Sequence, residues 1–447
     1  MSARVLFCCW PFEGHVFPQM SIALALRERG NEVAFYTGGR LRETVEATGF
    51  PVFPFRQIEP AWLAVQERER EVGGRRQSLR VERQAFREWL VETIPGQVED
   101  LTAVIDEWAP DVLVTDASMW GPSLVLNEAM PIPVALASPL ITAVLPGPGV
   151  PPPGSGLAPA HDVRGRARAW AVERATSLLA RGLRRRLDEL RAAHGLPPMG
   201  CGINERCGQL PLYLVLSVAE LDFERDDLPV GVKYVGACTW HPPEPAGTGE
   251  WLDEIPSERP WVHITEGTSH YQDPFLLRSA VSGLAGAPVE AIITHGRGRT
   301  PGELRLGEIA PNVHLAPWLS HDALLPRCRA LVTTGGAGTT MAGLRAGLPL
   351  VLVPTTWDKP DNARRVEAAG AGLILPPKQC TPESLREAVE SVLVEPRYQR
   401  AAKRCAELLA RAPGPPGAAE LIERLVPAWA ASHPAAASPR AIEGTLT

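Results

Sequence analysis

The sequence has few features that would hold a metal or a disulfide framework. Its eight cysteines form no CxxC pair, the spacing at which zinc sites and redox motifs are usually recognised. No apolar run approaches the roughly 18 consecutive residues of a membrane-spanning helix. The opening segment RVLFCCW is too short for the apolar core of a signal peptide and is typical of a first strand. We therefore expect a cytoplasmic protein with no disulfides and no membrane partner.

A basic surface and the common nucleotide-binding loops are also missing. The formal net charge is −6, whereas binding to a nucleic-acid backbone favours a basic face. No glycine-rich turn continues into the Gly-Lys-Ser/Thr of a Walker loop, and the first strand-helix turn lacks GxGxxG. These absences argue against a nucleic-acid partner and against the usual dinucleotide-binding fold.

What the sequence does contain is enough chain for two domains. Its 447 residues, 45% of them hydrophobic and 21% charged, correspond to two soluble domains of about 200 residues each. A Pro/Gly cluster at 241–249 separates two series of α/β signals. We assign 1–238 and 251–430 to the two domains, 239–250 to their linker, and 431–447 to a disordered tail.

Both domains alternate short apolar runs with amphipathic stretches, which predicts parallel sheets with helices on both faces. The strand candidates are 5–9, 32–36, 112–115 and 134–137 in the first domain, and 262–265, 291–294, 330–334 and 350–354 in the second. Helical spacing after the first strand ends at Arg29 and Gly30, and Thr381 before Pro382 predicts a helix start. The fold class is therefore α/β, with two doubly wound parallel sheets.

Two segments of the first domain stand apart from this pattern. Residues 66–87 are rich in Glu and Arg; a solvated helix or mobile segment is the favoured interpretation, and contact with a substrate is the alternative. Residues 146–160, PGPGVPPPGSGLAPA, cannot form a helix or a central strand because proline lacks the backbone donor. They are predicted to form a long loop.

Two polar residues of the first domain follow strands, at the edge where ligands of open α/β sheets bind. His15 lies in PFEGHVFP, near the start of a helix whose positive end disfavours the charged imidazole. Asp116 ends the apolar segment DVLVTD. If both lie at one edge, Asp116 can accept one ring proton of His15 and leave it as a general base. Local sequence also allows His15 to cap its turn and Asp116 to cap a helix.

The densest signal of the second domain is ALVTTGGAGTTMAGLRAGLPLVLVP. An apolar strand runs into Gly335, Gly336 and Gly338, and Thr339 opens a helix. Backbone N–H groups and the positive helix end form a ready site for phosphate. A plain tight turn is the alternative.

The next apolar strand, LVLVP, ends in TTWDKPDNARRV. Asp358 and Lys359 lie past its carboxyl end, where they can hydrogen-bond the hydroxyls of a sugar, and Asn362 opens the following helix. A solvated loop with a helix cap is the alternative interpretation of these residues.

Together and in this order, the segments resemble the nucleotide-sugar glycosyltransferases of family 1, especially the bacterial branch that decorates macrolides and other natural products. The likeness runs over nearly the whole chain, from GHVFP to NARRVEAAGAG. It implies the GT-B fold, in which two Rossmann-like domains face each other across a cleft. The first domain would bind the acceptor and the second the nucleotide sugar.

The resemblance also implies roles for single residues. His15 matches the catalytic base and Asp116 its orienting acid. Thr268, in TEGTS, matches a hydroxyl near the diphosphate. Trp318 and His321, in PWLSHDALLP, match the pair that embraces the nucleoside, although the family usually has glutamine at the second position.

Further departures from the family pattern lie at the donor site. Asp358 and Lys359 match an Asp-Gln pair that reads the donor sugar, so Lys359 replaces a glutamine. Thr334 stands where the family has a histidine that contacts the diphosphate, and its hydroxyl can donate to phosphate but carries no charge. We hypothesise that Lys359 returns a positive charge to this neighbourhood.

The activity implied is that of an inverting hexosyltransferase, which moves a sugar from a UDP-sugar or TDP-sugar to a hydroxyl of a small molecule such as a polyketide or macrolide. The nucleotide sugar is a co-substrate, no cofactor is implied, and no DxD-like acidic pair is placed to hold a metal. Two alternatives stay open. Thr334 favours a non-catalytic activator of a partner glycosyltransferase; a sugar-nucleotide epimerase would need no acceptor. Retention of His15 and Asp116 favours the transferase, and the sequence leaves a homodimer open.

Overall fold

The computed structural model describes residues 2–64, 79–160, 162–243, 249–268 and 273–433. They form two lobes, each built on one sheet in which every pairing between strands is parallel. The α/β class with two doubly wound sheets, predicted from the alternation of apolar runs and amphipathic stretches, is confirmed.

The first lobe contains a sheet of seven strands in the order β3-β2-β1-β4-β5-β6-β7. These are β1 (Arg4–Cys8), β2 (Glu32–Thr37), β3 (Val52–Pro54), β4 (Val112–Asp116), β5 (Val134–Ser138), β6 (Leu212–Val215) and β7 (Val232–Tyr234). In β1, Val5 and Phe7 pack on one face while Leu6 and Cys8 pack on the other. Helices cover both faces, which is why the strand sequences are continuously apolar.

The second lobe repeats this order with six strands, β10-β9-β8-β11-β12-β13. They are β8 (Trp261–Thr265), β9 (Glu290–Thr294), β10 (Val313–Ala316), β11 (Cys328–Thr333), β12 (Leu350–Leu352) and β13 (Gly372–Ile374). In each lobe the first strand lies between its second and its fourth. This reversal of strand order opens a crevice at the carboxyl ends of the strands, where ligands of such folds bind.

Helices connect the strands on both faces. Those of the first lobe are α1 (Glu13–Glu28), α2 (Leu41–Ala47), α3 (Leu79–Leu90), α4 (Ile94–Trp108), α5 (Val163–Ala193) and α6 (Ile203–Cys207). A π-helical turn at Pro122–Leu126 continues into Asn127–Ala129. The later helices are α7 (Phe275–Leu284), α8 (His321–Leu324), α9 (Ala337–Arg345), α10 (Lys359–Ala368), α11 (Pro382–Val394), α12 (Pro396–Arg411) and α13 (Gly414–Ser432). Short 3-10 turns lie at Ala219–Leu221, Glu250–Glu254, Leu325–Arg327 and Pro377–Gln379.

The eight strands predicted from sequence are present, with ends that differ by at most two residues. The predicted start of α11 is confirmed, because the Thr381 hydroxyl accepts the backbone N–H of Ser384 at 3.3 Å. The strands that the sequence analysis does not predict, β3, β6, β7, β10 and β13, span only three or four residues each. Such short runs carry too little periodicity to be recognised.

The final helix, α13, packs on the first lobe, although the sequence analysis assigns 251–430 to the second domain. Ala418 and Ile422 are completely buried in the cluster that also contains Val5 and Phe7 of β1. Glu423 accepts hydrogen bonds from Arg29 at 2.6 Å and Asn31 at 2.7 Å. The chain therefore crosses back to the first lobe before it ends. Most of the predicted tail, residues 434–447, lies outside the described residues.

The two unusual segments of the first lobe are described in part. Residues 65–78, most of the charged region 66–87, lie outside the described residues, and its remainder belongs to α3. Residues 146–160 form an irregular loop, as predicted. Asp361 of α10 accepts the backbone N–H groups of Gly154 and Gly156 at 2.6 and 2.8 Å, so the second lobe holds this proline-rich loop.

A buried ion pair joins the two lobes. Arg365 of α10 donates to Asp222 at 2.7 Å, and these side chains are 7% and 3% exposed. Asp222 also accepts the hydroxyl protons of Thr142 at 2.7 Å and Tyr234 at 2.6 Å. Since a buried charge is tolerated only when it is paired and hydrogen-bonded, this contact fixes α10 against the first lobe.

We expect Arg365→Ala to lower the free energy of unfolding by about 3 kcal/mol, because it leaves the Asp222 carboxylate buried without its ionic partner. The matched control is Arg42→Ala, which breaks the pair with Glu46 whose side chains are 47% and 40% exposed. The control should change stability by less than about 0.5 kcal/mol. Urea unfolding followed by circular dichroism measures both, and equal losses would contradict the role given to the buried pair.

Candidate active site

The neighbouring strands β1 and β4 bring His15 and Asp116 to one sheet edge. Cys8, the last residue of β1, pairs with Thr115, and Asp116 follows directly. Nδ1 of His15 lies 2.9 Å from Oδ2 of Asp116. The sequence analysis required the two residues to share an edge, and they do.

The Asp116 carboxylate is completely buried, yet every donor around it favours the charged form. Its Oδ2 accepts the backbone N–H of Trp10 at 3.1 Å, and its Oδ1 accepts the backbone N–H and hydroxyl of Ser118, both at 2.6 Å. Burial by itself would raise the pKa of Asp116, but the His15 ring and the Ser118 hydrogen bonds outweigh it and lower that pKa. Asp116 is therefore a fixed negative charge behind the imidazole.

His15 is the third residue of α1, and its side chain is 28% exposed. No side chain caps this helix, so the alternative in which His15 caps the turn does not describe the structure. The ring is anchored at Nδ1 and packs near Phe12, with 5.3 Å between the ring centroids. A partly exposed imidazole on a buried carboxylate has the arrangement of a general base.

In the second lobe, the turns after β8 and β11 lie side by side. Thr265 and Thr333, the last residues of these strands, are register partners. Gly335 has φ +90°, and a Cβ there would lie 3.1 Å from the Lys359 carbonyl oxygen, so this position requires glycine. Gly336 precedes α9, whose first backbone N–H groups have no partner within the helix. The turn is thus a helix N-terminus suited to an anion.

The two hydroxyl residues assigned to the diphosphate differ in accessibility. Thr268 is exposed and follows the end of β8. The turn that carries it lies close to α9, since a Cβ at Gly267 would be 3.4 Å from Oγ1 of Thr339. Thr334 is completely buried and donates its hydroxyl proton to the backbone carbonyl of Glu266 at 2.9 Å. This hydrogen bond joins the two turns. It uses the only hydroxyl proton of Thr334, which the sequence analysis expected to be donated to phosphate.

Charged residues surround this turn. The buried Glu266 carboxylate accepts a hydrogen bond from Arg299 at 2.8 Å. Burial raises the pKa of Glu266, although the charges of Arg299 and Lys359 oppose that shift. Lys359 is 5% exposed and begins α10. Two cations thus lie near the glycine turn, in a region where sequence analysis expects only Lys359.

Asp358 and Asn362 form one unit at the start of α10. Asn362 donates to Oδ2 of Asp358 at 2.7 Å and to the Gly335 carbonyl at 2.9 Å. Burial raises the pKa of Asp358, against the lowering effects of Asn362, Lys359 and His15. The preceding residue, Trp357, stacks on Phe86 of the first lobe, so Asp358 lies beside the gap between the two lobes.

Trp318 and His321 follow β10 in the second lobe. The Arg297 guanidinium lies over the Trp318 ring, with Cζ 4.2 Å from its centroid. Burial lowers the pKa of His321 to about 3, reinforced by the charges of His263 and His241. His321 is therefore uncharged at neutral pH and can form hydrogen bonds. In both respects it is like the glutamine that the family usually has at this position.

Sequence reasoning missed several residues that border the site. Ser118 was overlooked, although it lies two positions beyond Asp116 in DAS. Phe12, Trp89 and Trp357 were also overlooked, because aromatic residues in loops and helices usually signify packing. Phe12 and Trp357 lie within three residues of His15 and Asp358, the signal that could have found them.

Within the described ranges, no three or more His, Cys, Asp or Glu side chains are grouped as a metal ion would require. None of the helices in these ranges combines the length and the apolar character needed to cross a membrane.

Comparison with known proteins shows which family the chain belongs to. Residues 284–426 match the family model described as Erythromycin biosynthesis protein CIII-like, C-terminal domain. The chain is 34% identical over 428 residues to 4'-demethylrebeccamycin synthase of Lentzea aerocolonigenes, covering 95% of this chain and 100% of that protein.

Solved structures show the same fold. The calicheamicin glycosyltransferase CalG4 superposes with a TM-score of 0.69 at 20% identity, covering 97% of this chain and 99% of its own. The spinosyn rhamnosyltransferase SpnG, complexed with thymidine diphosphate, gives a TM-score of 0.66 at 21% identity, covering 95% and 100%. These neighbours identify the fold as GT-B. With a relative of this identity matched over its full length, the chain belongs to the GT-B glycosyltransferases of natural-product biosynthesis related to 4'-demethylrebeccamycin synthase.

Proposed function

We propose that the chain is an inverting, metal-independent glycosyltransferase that moves a sugar from a UDP-sugar or TDP-sugar to a hydroxyl of a small molecule such as a polyketide or macrolide. The observation that carries this proposal is the pair of His15 and Asp116, an accessible imidazole fixed by a buried carboxylate. An imidazole held in this way can deprotonate a hydroxyl. The thymidine diphosphate bound to SpnG supports a nucleotide-sugar donor.

The chemical step is a single displacement. Nε2 of His15 takes the proton of the acceptor hydroxyl while the oxygen forms a bond to the anomeric carbon. The bond from that carbon to the diphosphate oxygen breaks, and its electron pair leaves with the nucleotide. Asp116 keeps the other ring proton on Nδ1 and stabilises the imidazolium that forms. Attack opposite the leaving group inverts the anomeric configuration.

The leaving diphosphate acquires charge, which the second lobe is equipped to stabilise. The backbone N–H groups at Gly336, Gly338 and the start of α9 provide oriented donors, with the hydroxyls of Thr268 and Thr339 beside them. Thr334 supports this turn through Glu266. The family has a histidine at the diphosphate where this chain has Thr334. We assign the positive charge at this place to Lys359, aided by Arg299.

The substrates divide between the lobes. The acceptor would lie on residues 1–238, near α3 and the loop 146–160, and the nucleotide sugar on the second lobe. Trp318 and His321 would contact the nucleoside, and Asp358, Lys359 and Asn362 the sugar and the adjoining phosphate. The reaction so described uses no cofactor besides the nucleotide sugar.

Removal of the base is expected to stop the chemistry while sparing the donor site. We expect His15→Ala to lower kcat roughly 100- to 10,000-fold, with unchanged calorimetric binding of TDP or UDP. Mass spectrometry of the glycosylated product, from a panel of hydroxylated acceptors with TDP-glucose and UDP-glucose, measures the rate. His194→Ala, at an exposed histidine after α5, is the matched control. Full activity of His15→Ala would contradict the proposal.

The donor site is expected to depend on the charge of Lys359. TDP or UDP should bind without magnesium, and Lys359→Gln should weaken binding by about tenfold, the loss of one charge-assisted contact. Lys378→Gln, at an exposed lysine, is the matched control and should bind normally. If no diphosphate binds until Thr334→His is introduced, the activator of a partner glycosyltransferase becomes the better description.

Metal independence and inversion can be tested together. We expect the rate to be the same with EDTA and with magnesium, because charge on the diphosphate is met by backbone donors and cations of the chain. Nuclear magnetic resonance of the product should show an anomeric configuration opposite to that of the donor. Activity lost in EDTA and restored by magnesium would overturn the first expectation. Conversion of the donor without an acceptor would indicate an epimerase.

A further inference from the structure

Aromatic side chains surround the gap between His15 and the second lobe, and no step of the proposed transfer uses them. Aromatic residues make up only 6% of the chain, so their concentration beside the base is unusual. We call the set formed by the following residues the aromatic wall: Phe12, Phe86, Trp89 and Trp357.

The aromatic wall is continuous from the base to the second lobe. The ring centroids of Phe12 and His15 lie 5.3 Å apart, and Trp89 packs edge-on against Phe12 at 5.6 Å. Trp89 then meets Trp357 edge-on at 6.2 Å. A ligand along the aromatic wall would therefore present one end to the base and the other to Trp357.

Trp357 is the contribution of the second lobe. Its ring stacks on Phe86 of α3, with centroids 5.9 Å apart and an interplanar angle of 21°, yet the residue remains 56% exposed. Its backbone φ is +63°, a conformation that bulky residues rarely adopt and that is concentrated at binding sites. Asp358, which is assigned to the donor sugar, follows directly. The chain thus holds a strained, exposed indole at the meeting point of the two substrates.

We infer that the acceptor is a planar, fused-ring aromatic molecule with a hydroxyl group, which binds with a ring face or edge against the aromatic wall. This inference rests on the proposed function and names its acceptor class. Flat rings gain stacked and edge-on contacts with Phe12, Trp89 and Trp357. A saturated macrolactone is puckered and can offer only its apolar area. The position of Phe12 next to His15 brings a hydroxyl on the ring to the base.

Acceptor binding without a donor tests the inference. Calorimetry compares alizarin, a planar dihydroxyanthraquinone, with erythronolide B, a saturated macrolactone. We expect alizarin to bind more tightly, and Trp357→Ala to weaken it by about tenfold, while Trp357→Phe retains most of the affinity. Trp170→Ala is the matched control, because Trp170 is a 65% exposed tryptophan on α5 outside the aromatic wall. It should bind alizarin normally.

Failure of the inference can be told apart from failure of the proposed function. TDP and UDP binding is measured on the same preparations, with thermal unfolding as the check that each variant is folded. Binding of TDP or UDP with equal or tighter binding of erythronolide B would overturn the acceptor class and leave the transferase standing. Equal alizarin affinity in wild type and folded Trp357→Ala would also overturn it. Alizarin binding without any diphosphate binding would count against the transferase alone.

Discussion

The buried charge of Asp116 is the constraint on which the rest of the site depends. A carboxylate with no exposed surface must be surrounded by donors, and here they come from Trp10, Ser118 and His15. Two of these donors are backbone N–H groups, so the ends of β1 and β4 must keep their register. The imidazole is therefore oriented by the sheet itself. The orientation of the imidazole and the stability of the fold therefore depend on the same contacts at this edge.

A single helix connects that edge to the other lobe. The start of α10 carries Asp358, Lys359 and Asn362, which face the glycine turn. On the same helix, Asp361 binds the loop 146–160 and Arg365 binds Asp222 of the first lobe. Because a helix is stiff over this length, a displacement of Asp358, Lys359 and Asn362 also displaces the contacts to the first lobe. The gap between the two lobes is thus defined by one rigid element.

Much of this arrangement follows from patterns in the sequence. Apolar runs locate the strands, and polar residues directly after them predict the pairing of His15 with Asp116, because parallel strands end at a common edge. The glycines after β11 are similarly predictable, since a φ of +90° at Gly335 admits little else. In each case the determining interaction is local, or joins neighbouring strands.

Other features depend on contacts between segments distant in sequence, and no local pattern records them. The Thr334 hydroxyl looks available in sequence, but Glu266 lies 68 positions away and accepts its proton. The packing of α13 on β1, which moves a predicted part of the second domain to the first lobe, needs the whole topology. Trp357 joins the aromatic wall only because α3 lies opposite. Short strands such as β13 fail for a different reason, too few residues to show a period.

The general-base role of His15 is tested most directly by the position of its ring proton, observed by nitrogen nuclear magnetic resonance of histidine-labelled protein at mildly alkaline pH. The chain has ten histidines, and His15→Gln identifies the signal. The general-base role predicts a proton on Nδ1, shared with Asp116, and a lone pair on Nε2, with this preference lost in Asp116→Asn. A proton on Nε2 in the wild-type protein would contradict it, because the ring could not then accept the proton of an acceptor hydroxyl.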